Sequence, residues 1–170
     1  MADVNKSNLN TVAGILPKDA FIVLVKTEWN AVIVDELERG CTSKLKETGI
    51  KKTITLTVPG AVEIPFAIKA YWESLKEKKK KRPDAFIALG CVIRGGTPHF
   101  EYVCKVVTEG VGQLNLLLPV PTIFGVLTVD NEQQAKERTG GAHGHKGEEA
   151  AMTALKMISL NQSFKKLCGK

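Results

Sequence analysis

The sequence predicts a three-layer α/β/α sandwich with a central, mostly parallel four-stranded sheet. Four short apolar or β-branched runs, at residues 21–25, 53–57, 85–89 and 122–127, have the character of strands. Longer segments with helical spacing of apolar residues alternate with them. Such alternation favours right-handed crossovers, which place helices on both faces of a parallel sheet. The length of 170 residues suits one compact domain.

The first strand and helix show this pattern most clearly. Residues 21–25 are continuously apolar, as is typical of a strand that is buried on both faces. Apolar residues spaced three or four apart then predict a helix that stops at Gly49. The apolar face of this predicted helix consists of Val34, Leu37, Cys41 and Leu45.

The second helix is predicted to end in a basic segment. It follows the strand at residues 53–57 and the break at Val58-Pro59-Gly60. Its end is expected in the run at residues 78–82, because cations suit a helix C-terminus and Pro83 is a plausible stop. One side of this predicted helix carries Ile64, Ile68, Tyr71, Trp72 and Leu75.

The second half of the chain continues the alternation. A loop at residues 90–98 separates the third strand from a helix that runs through Val103 and Leu114, and two prolines bracket the turn into the fourth strand. A short helix at residues 132–138, a Gly/His-rich turn at 140–147 and a last helix through Ile158 are predicted after it. We expect a flexible N-terminal arm at residues 1–10 and a single domain at 11–170.

Composition narrows the function classes. The net charge of +6 is concentrated in the basic run, but no aromatic residues are interleaved with the lysines, so a solvated helix end is favoured over a nucleic-acid surface. No secretory signal and no apolar stretch long enough to span a bilayer is visible. The cysteines form no C-x-x-C pair, and a reducing, cytoplasmic location is expected. They are Cys41, Cys91, Cys104 and Cys168.

Ligands of parallel α/β sheets bind beyond the carboxyl ends of the strands. The predicted ends lie at residues 26–30, 58–63, 90–99 and 128–131, and these segments hold most of the unusual polar, glycine and proline residues of the chain. This coincidence predicts a binding site at that edge of the sheet.

The loop at residues 94–99 is the richest of these segments. Gly95 and Gly96 allow a ligand to approach the backbone, and the following helix N-terminus favours an anion. Thr97 offers a hydroxyl donor or a helix cap, and His99 is suited to proton transfer. An ordinary capped loop with a surface histidine is the alternative. Because the glycine spacing of nucleotide-binding loops is missing, a small phosphorylated metabolite is favoured as the ligand.

Other candidates leave two interpretations open. Glu63 can accept hydrogen bonds from a polyol or only favour a helix N-terminus, and Trp29 can stack on a flat ring or belong to the core. Arg138 and Lys146 can complete an anion site or lie in a solvated turn. A metal site at His143 and His145 lacks a third ligand nearby, so no metal is expected.

Several segments together resemble the lumazine synthase family, in the right order from about residue 21 to about residue 160. The resemblance implies a flavodoxin-like fold. The segments are Thr27-Glu28-Trp29-Asn30, Val58-Pro59-Gly60-Ala61-Val62-Glu63-Ile64-Pro65, residues 90–103 with Ile93-Arg94-Gly95-Gly96-Thr97-Pro98-His99, Phe124-Gly125-Val126-Leu127-Thr128, and residues 138–147.

The resemblance also implies roles for individual residues. His99 matches the proton-transfer residue, Trp29 the aromatic that stacks on a pyrimidine, and Glu63 the acceptor for ribityl hydroxyls. Phe124, Arg138 and Lys146 match residues that a neighbouring subunit contributes. The remaining implied substrate-binding positions are Asn30, Ala61 and Val62 beside the pyrimidine and ribityl chain, Val92 and Ile93 through the backbone, and Gly96 and Thr97 at the phosphate.

The implied reaction joins 5-amino-6-(D-ribitylamino)uracil to 3,4-dihydroxy-2-butanone 4-phosphate, giving 6,7-dimethyl-8-ribityllumazine without a cofactor. The implied assembly is a pentamer, and the short turn at residues 140–147 is similar to those of icosahedral shells of pentamers. The chain departs from the common pattern at Val62, Pro98, His145 and the basic run at 78–82.

Two other functions fit parts of the resemblance. An archaeal-type riboflavin synthase would need no phosphate grip, whereas Thr97 and Arg138 are retained here. A non-catalytic flavin- or lumazine-binding shell protein would need Trp29 and Glu63 but neither His99 nor Arg138.

Overall fold

The computed structural model describes residues 17–75 and 81–168. The predicted flexible arm at residues 1–10 lies outside the described residues, and so do Lys78, Lys79 and Lys80 of the basic run. Among the described residues, no helix combines the length and the apolar character that crossing a bilayer would require.

The central sheet has four strands, all paired in parallel, in the order β2-β1-β3-β4. This is the strand order of a flavodoxin-like fold. The predicted fold class is therefore confirmed. The strands are β1 (Phe21–Thr27), β2 (Lys52–Val58), β3 (Ala85–Ile93) and β4 (Thr122–Val129).

Alternate side chains of the sheet pack against helices on opposite faces. Ile22 and Leu24 of β1 belong to a core with α1 and α5, whereas Val23 and Val25 belong to a core with α2 and α3. Full burial of one such aliphatic side chain contributes about 1.5–3 kcal/mol. The helices are α1 (Ala31–Glu47), α2 (Ile64–Ser74), α3 (His99–Leu117), α4 (Glu132–Lys136) and α5 (Lys146–Cys168), with a 3₁₀ turn at Ala61–Glu63.

The prediction that the second helix ends in the basic run is wrong. Helix α2 ends at Ser74, and Lys81 and Arg82 are not helical. Leu75 is the last apolar residue before the run, so a longer helix would have had no apolar side chain to bury. Arg82 instead places its guanidinium 4.8 Å from the centre of the Trp72 ring.

Strand β3 extends four residues beyond its predicted end at Leu89. Gly90, Cys91, Val92 and Ile93 continue the ladder with residues 126–129 of β4, which shortens the predicted loop to residues 94–98. Gly90 resembles a loop residue in sequence, but the pairing with β4 overrides that preference.

Two further boundaries in the second half also differ. Helix α4 ends at Lys136 rather than at residue 138. The segment predicted as a turn contains a small antiparallel hairpin of β5 (Thr139–Gly141) and β6 (Gly144–His145). Its Gly140 and Gly144 have φ values of 112° and 75°, which glycine adopts without strain.

Candidate functional site

The carboxyl ends of β1 and β3 open onto a cavity of about 460 Å³, which we call the strand-end cavity. Its other walls are the 3₁₀ turn and the start of α3. Eight of the residues that the sequence singles out line it together: Trp29, Asn30, Ala61, Val62, Glu63, Val92, Ile93 and His99. Cys91 and Val103 also contribute to its wall.

Trp29 lies in a loop that is fixed to the end of β2. Its backbone N–H donates to the Pro59 carbonyl at 3.3 Å, and the N–H of Glu28 donates to the Val58 carbonyl at 2.9 Å. The Trp29 side chain is nevertheless 73% exposed, so it is not a core residue. A flat ring held on a rigid loop at a cavity offers an apolar face to a planar ligand.

Asn30 determines how the chain turns from this loop into α1. It adopts the left-handed conformation, with φ 58° and ψ 42°, which asparagine tolerates better than most residues. Its Nδ2 donates to the Cys91 carbonyl of β3 at 2.8 Å. The side chain therefore joins the loop that follows β1 to β3, beside the strand-end cavity.

Glu63 and Trp29 flank the same glycine. A Cβ built on Gly60 would lie 3.0 Å from Oε2 of Glu63 and 3.6 Å from Cδ1 of Trp29. The carboxylate and the indole are thus close neighbours at one wall of the cavity. Together they present hydrogen-bond acceptors beside an apolar ring, an arrangement that suits a heterocycle with a hydroxylated chain.

The cysteine in the cavity wall, Cys91, is buried. Burial raises the pKa of the Cys91 thiol to about 11, so it stays protonated at neutral pH. His99 is the first residue of α3, is exposed, and lines the same cavity with its imidazole. His99 therefore supplies the cavity with an imidazole, a group suited to proton transfer near neutral pH.

The loop at residues 94–98, which we call the glycine loop, lies beside the strand-end cavity but does not line it. Gly96 and Thr97 are exposed, and a Cβ built on Gly95 or Gly96 would meet no atom within 4 Å. Of the two roles that the sequence left open for Thr97, the helix cap is not found, because Pro98 occupies the N-cap position and no side chain caps this helix end. The Thr97 hydroxyl is not used as a helix cap.

A second cavity, of about 530 Å³, follows the outer edge of β4 and is called the β4-edge cavity. Phe124, Arg138 and Lys146 line it, with no residue in common with the strand-end cavity. Arg138 Nη1 donates to the Gln134 carbonyl at 2.9 Å, and Lys146 Nζ lies 2.6 Å from Oε1 of Glu149. The predicted site residues that line a cavity therefore divide into two groups within one chain, and Gly96 and Thr97 line neither cavity.

His143 and His145 lie near carboxylates rather than in a ligand cluster. Nε2 of His143 is 3.6 Å from Oε2 of Glu137, and Nε2 of His145 is 3.6 Å from Oε1 of Glu36. Within residues 17–75 and 81–168, no group of three or more histidine, cysteine or acidic side chains is arranged to hold a metal ion.

Sequence reasoning missed one charged cluster beside the glycine loop. Arg94 forms ion pairs with Glu101 of α3 and with Asp130, and its Nε lies 3.0 Å from Oδ1 of Asp130. Hydrogen bonds from Arg94 lower the pKa of both carboxyl groups. Arg94 and Glu101 both lie in the segment at residues 90–103, but Asp130 is 36 residues from Arg94, so no local spacing reveals that contact.

Comparisons with known proteins agree with this geometry. The family model for 6,7-dimethyl-8-ribityllumazine synthase matches residues 19–162. A protein of that name from Porphyromonas gingivalis is 47% identical over 147 residues, covering 85% of this chain and 88% of the relative. Its counterpart from Parabacteroides distasonis is 44% identical over 142 residues, covering 82% and 85%. The one from Flavobacterium psychrophilum is 41% identical over 166 residues, covering 95% and 85%. The chain belongs to the 6,7-dimethyl-8-ribityllumazine synthase family.

Proposed function

We propose that this chain condenses 5-amino-6-(D-ribitylamino)uracil with 3,4-dihydroxy-2-butanone 4-phosphate to give 6,7-dimethyl-8-ribityllumazine, a transferase reaction of riboflavin biosynthesis. The observation that carries the proposal is the strand-end cavity, in which an exposed indole, a carboxylate and an imidazole meet in a chain of this family. Each group has a task in the reaction.

The pyrimidine and its ribityl chain are assigned to the strand-end cavity. Trp29 stacks on the ring, and Glu63 accepts hydrogen bonds from the ribityl hydroxyls beside Ala61 and Val62. Asn30 supports this wall through its hydrogen bond to β3. Val92 and Ile93, at the end of β3, offer backbone groups to the pyrimidine.

The phosphate is assigned to the loop at Gly96 and Thr97, where the open space in front of the glycines admits an anion. Arg138 supplies the positive charge, with Lys146 and Phe124 beside it. Since these three residues line the β4-edge cavity and not the strand-end cavity, we assign them to the site of a neighbouring copy. The protein is accordingly a homo-oligomer, a pentamer or an icosahedral assembly of pentamers.

The chemistry follows from the groups present. The pyrimidine amine attacks the ketone of the phosphate ester, the carbonyl oxygen leaves as water, and a Schiff base forms. Loss of a proton from the adjacent carbon then expels inorganic phosphate, and the ribitylamino nitrogen closes the ring with loss of water. His99 relays protons in these steps, and the site accelerates them chiefly by aligning two reactants.

The reaction requires no metal or redox cofactor, and neither a nucleic acid nor a membrane is a proposed partner. We place the protein in the cytoplasm, which is consistent with free thiols at Cys41, Cys91 and Cys104. The division into an arm at residues 1–10 and one domain at 11–170 stays a prediction.

The test is an absorbance and product-mass assay with the purified protein, both substrates and an Arg138→Ala control. We expect a product with the mass of the dimethyl-ribityllumazine, formed much more slowly by Arg138→Ala. Folded wild-type protein that is no faster than the spontaneous background would refute the proposal and leave a non-catalytic binding shell. Conversion of two lumazines into riboflavin would instead identify a riboflavin synthase.

A further inference from the structure

A cluster of polar side chains ties the glycine loop to the end of β4. Arg94 donates from Nε to Oδ1 of Asp130 and also pairs with Glu101 at the start of α3. The backbone N–H of Arg94 donates to the Val129 carbonyl at 2.9 Å. Directly before Gly95, the main chain of Arg94 is thus fixed to the last residue of β4 and its side chain to the residue that follows β4.

The same cluster continues into helix α4. The backbone N–H of Asp130 donates to Oε1 of Gln134 at 2.9 Å, and Nε2 of Gln134 donates to Oδ2 of Asp130 at 3.4 Å. Asn131 caps the helix by accepting from the Gln134 N–H at 2.9 Å. The Gln134 carbonyl in turn accepts from Arg138. An unbroken series of hydrogen bonds therefore runs from Arg94 to Arg138 through Asp130 and Gln134.

The energetics point to a local role. Arg94, Glu101 and Asp130 are well exposed, and exposed ion pairs contribute little to global stability. The ion pairs instead fix the position of Arg94. Its guanidinium lies 4.1 Å from the centre of the Phe100 ring and is paired with two carboxylates. Asp130 contacts both Arg94 and Gln134.

We propose that Asp130 is a positioning residue for phosphate binding, holding the loop at Gly96 and Thr97 through Arg94 and holding Arg138 through Gln134. The inference rests on the proposed function. Because Arg138 is assigned to a neighbouring copy, one Asp130 sets phosphate contacts at two sites: the loop of its own chain and the arginine that its chain lends. Loss of the Asp130 carboxylate therefore loosens both the loop at Gly96 and Thr97 and the side chain of Arg138.

The test compares Asp130→Ala with Glu132→Gln in the full chain. Glu132 is two residues away and equally exposed, and it pairs with Lys136 inside α4, so it controls for the loss of an acidic charge. We expect Asp130→Ala to raise the KM for the butanone phosphate about tenfold, below the roughly 100-fold that a 1 Å misplacement can cause. Inhibition by inorganic phosphate weakens similarly, whereas the KM for the pyrimidine and the Tm stay near wild type.

Two further variants test whether Asp130 acts through its contact with Arg94. Asp130→Asn preserves size and hydrogen-bond acceptance and is expected to fall between wild type and Asp130→Ala. Arg94→Lys combined with Asp130→Ala is expected to be less than additive, because both act through one contact. An unchanged KM for the phosphate substrate, an equal rise in both KM values, or the same effect in Glu132→Gln would overturn the inference.

Wild-type turnover separates the role of Asp130 from the function of the whole protein. A wild-type protein that forms no lumazine refutes the function. A wild-type protein that turns over while Asp130→Ala matches Glu132→Gln refutes only the role of Asp130.

Discussion

Helix α5 approaches α1 so closely at Gly147 that no side chain fits between them. A Cβ on Gly147 would lie 2.1 Å from the Leu37 carbonyl oxygen and 3.1 Å from the Cys41 nitrogen, about 1.3 Å short of ordinary contact with that oxygen. The opposing atoms are backbone, so no rotamer change relieves the clash. Gly147→Ala should force the helices apart and lower the free energy of unfolding by about 1–3 kcal/mol.

The same displacement should reach the proposed phosphate contact at Arg138, because Lys146 precedes Gly147 and its N–H donates to the Arg138 carbonyl at 2.8 Å. A shift of about 1 Å in a positioned group can reduce activity on the order of 100-fold. The assay is urea unfolding together with initial rates. Gly112→Ala in α3 is the control, because its Cβ would meet no atom within 4 Å and a helical alanine stabilises by roughly 0.5–1 kcal/mol. Gly147→Ala with wild-type stability and activity would show that the helices separate without effect.

Other features give independent predictions. Asn30→Ala should lower the free energy of unfolding by about 1–3 kcal/mol, because the hydrogen bond to β3 is lost and alanine is strained in the left-handed conformation. Asn30→Gly should recover the part that is due to strain. Equal losses of unfolding free energy in the two variants, measured by urea unfolding, would contradict this. Burial raises the pKa of Cys41 to about 12 and that of Cys91 to about 11. Peptide mapping after iodoacetamide treatment at pH 8 should find both unmodified in native protein and alkylated after denaturation; native alkylation would count against the buried sites. Hydrogen bonds from Lys26 to Asp35 and Glu38 raise the pKa of Lys26 above 10.5. The stability that these hydrogen bonds contribute is complete below pH 10.5 and is lost as the pH rises through the folded-state pKa of Lys26. Lys26→Met should therefore differ from wild type in unfolding free energy at pH 9 and converge with it at strongly alkaline pH.

The buried strands were predictable because their apolar runs have no other stable location. The run at residues 21–25 reads as a strand buried on both faces, and the structure places its alternate residues in two separate cores. Boundaries were less predictable where pairing overrides local preference. Gly90 resembles a loop residue, yet it pairs with Val126 because β4 extends alongside it.

The candidate site was predictable to the extent that strand ends carry it. Trp29, Glu63 and His99 come from three separate segments, and the parallel sheet brings them to one cavity. The cluster around Asp130 was not predictable, because Arg94 and Asp130 are 36 residues apart and neither lies in a local motif with the other. A single sequence carries no signal for such a contact.

The two cavities have no residue in common, and this separation has a genetic consequence. Under the proposed sharing of sites, a His99→Ala chain can still lend Arg138, and an Arg138→Ala chain can still offer His99. Two inactive alleles would therefore complement one another within a mixed ring. With equal amounts of each chain and random assembly into a closed ring, about a quarter of the sites would receive both intact halves.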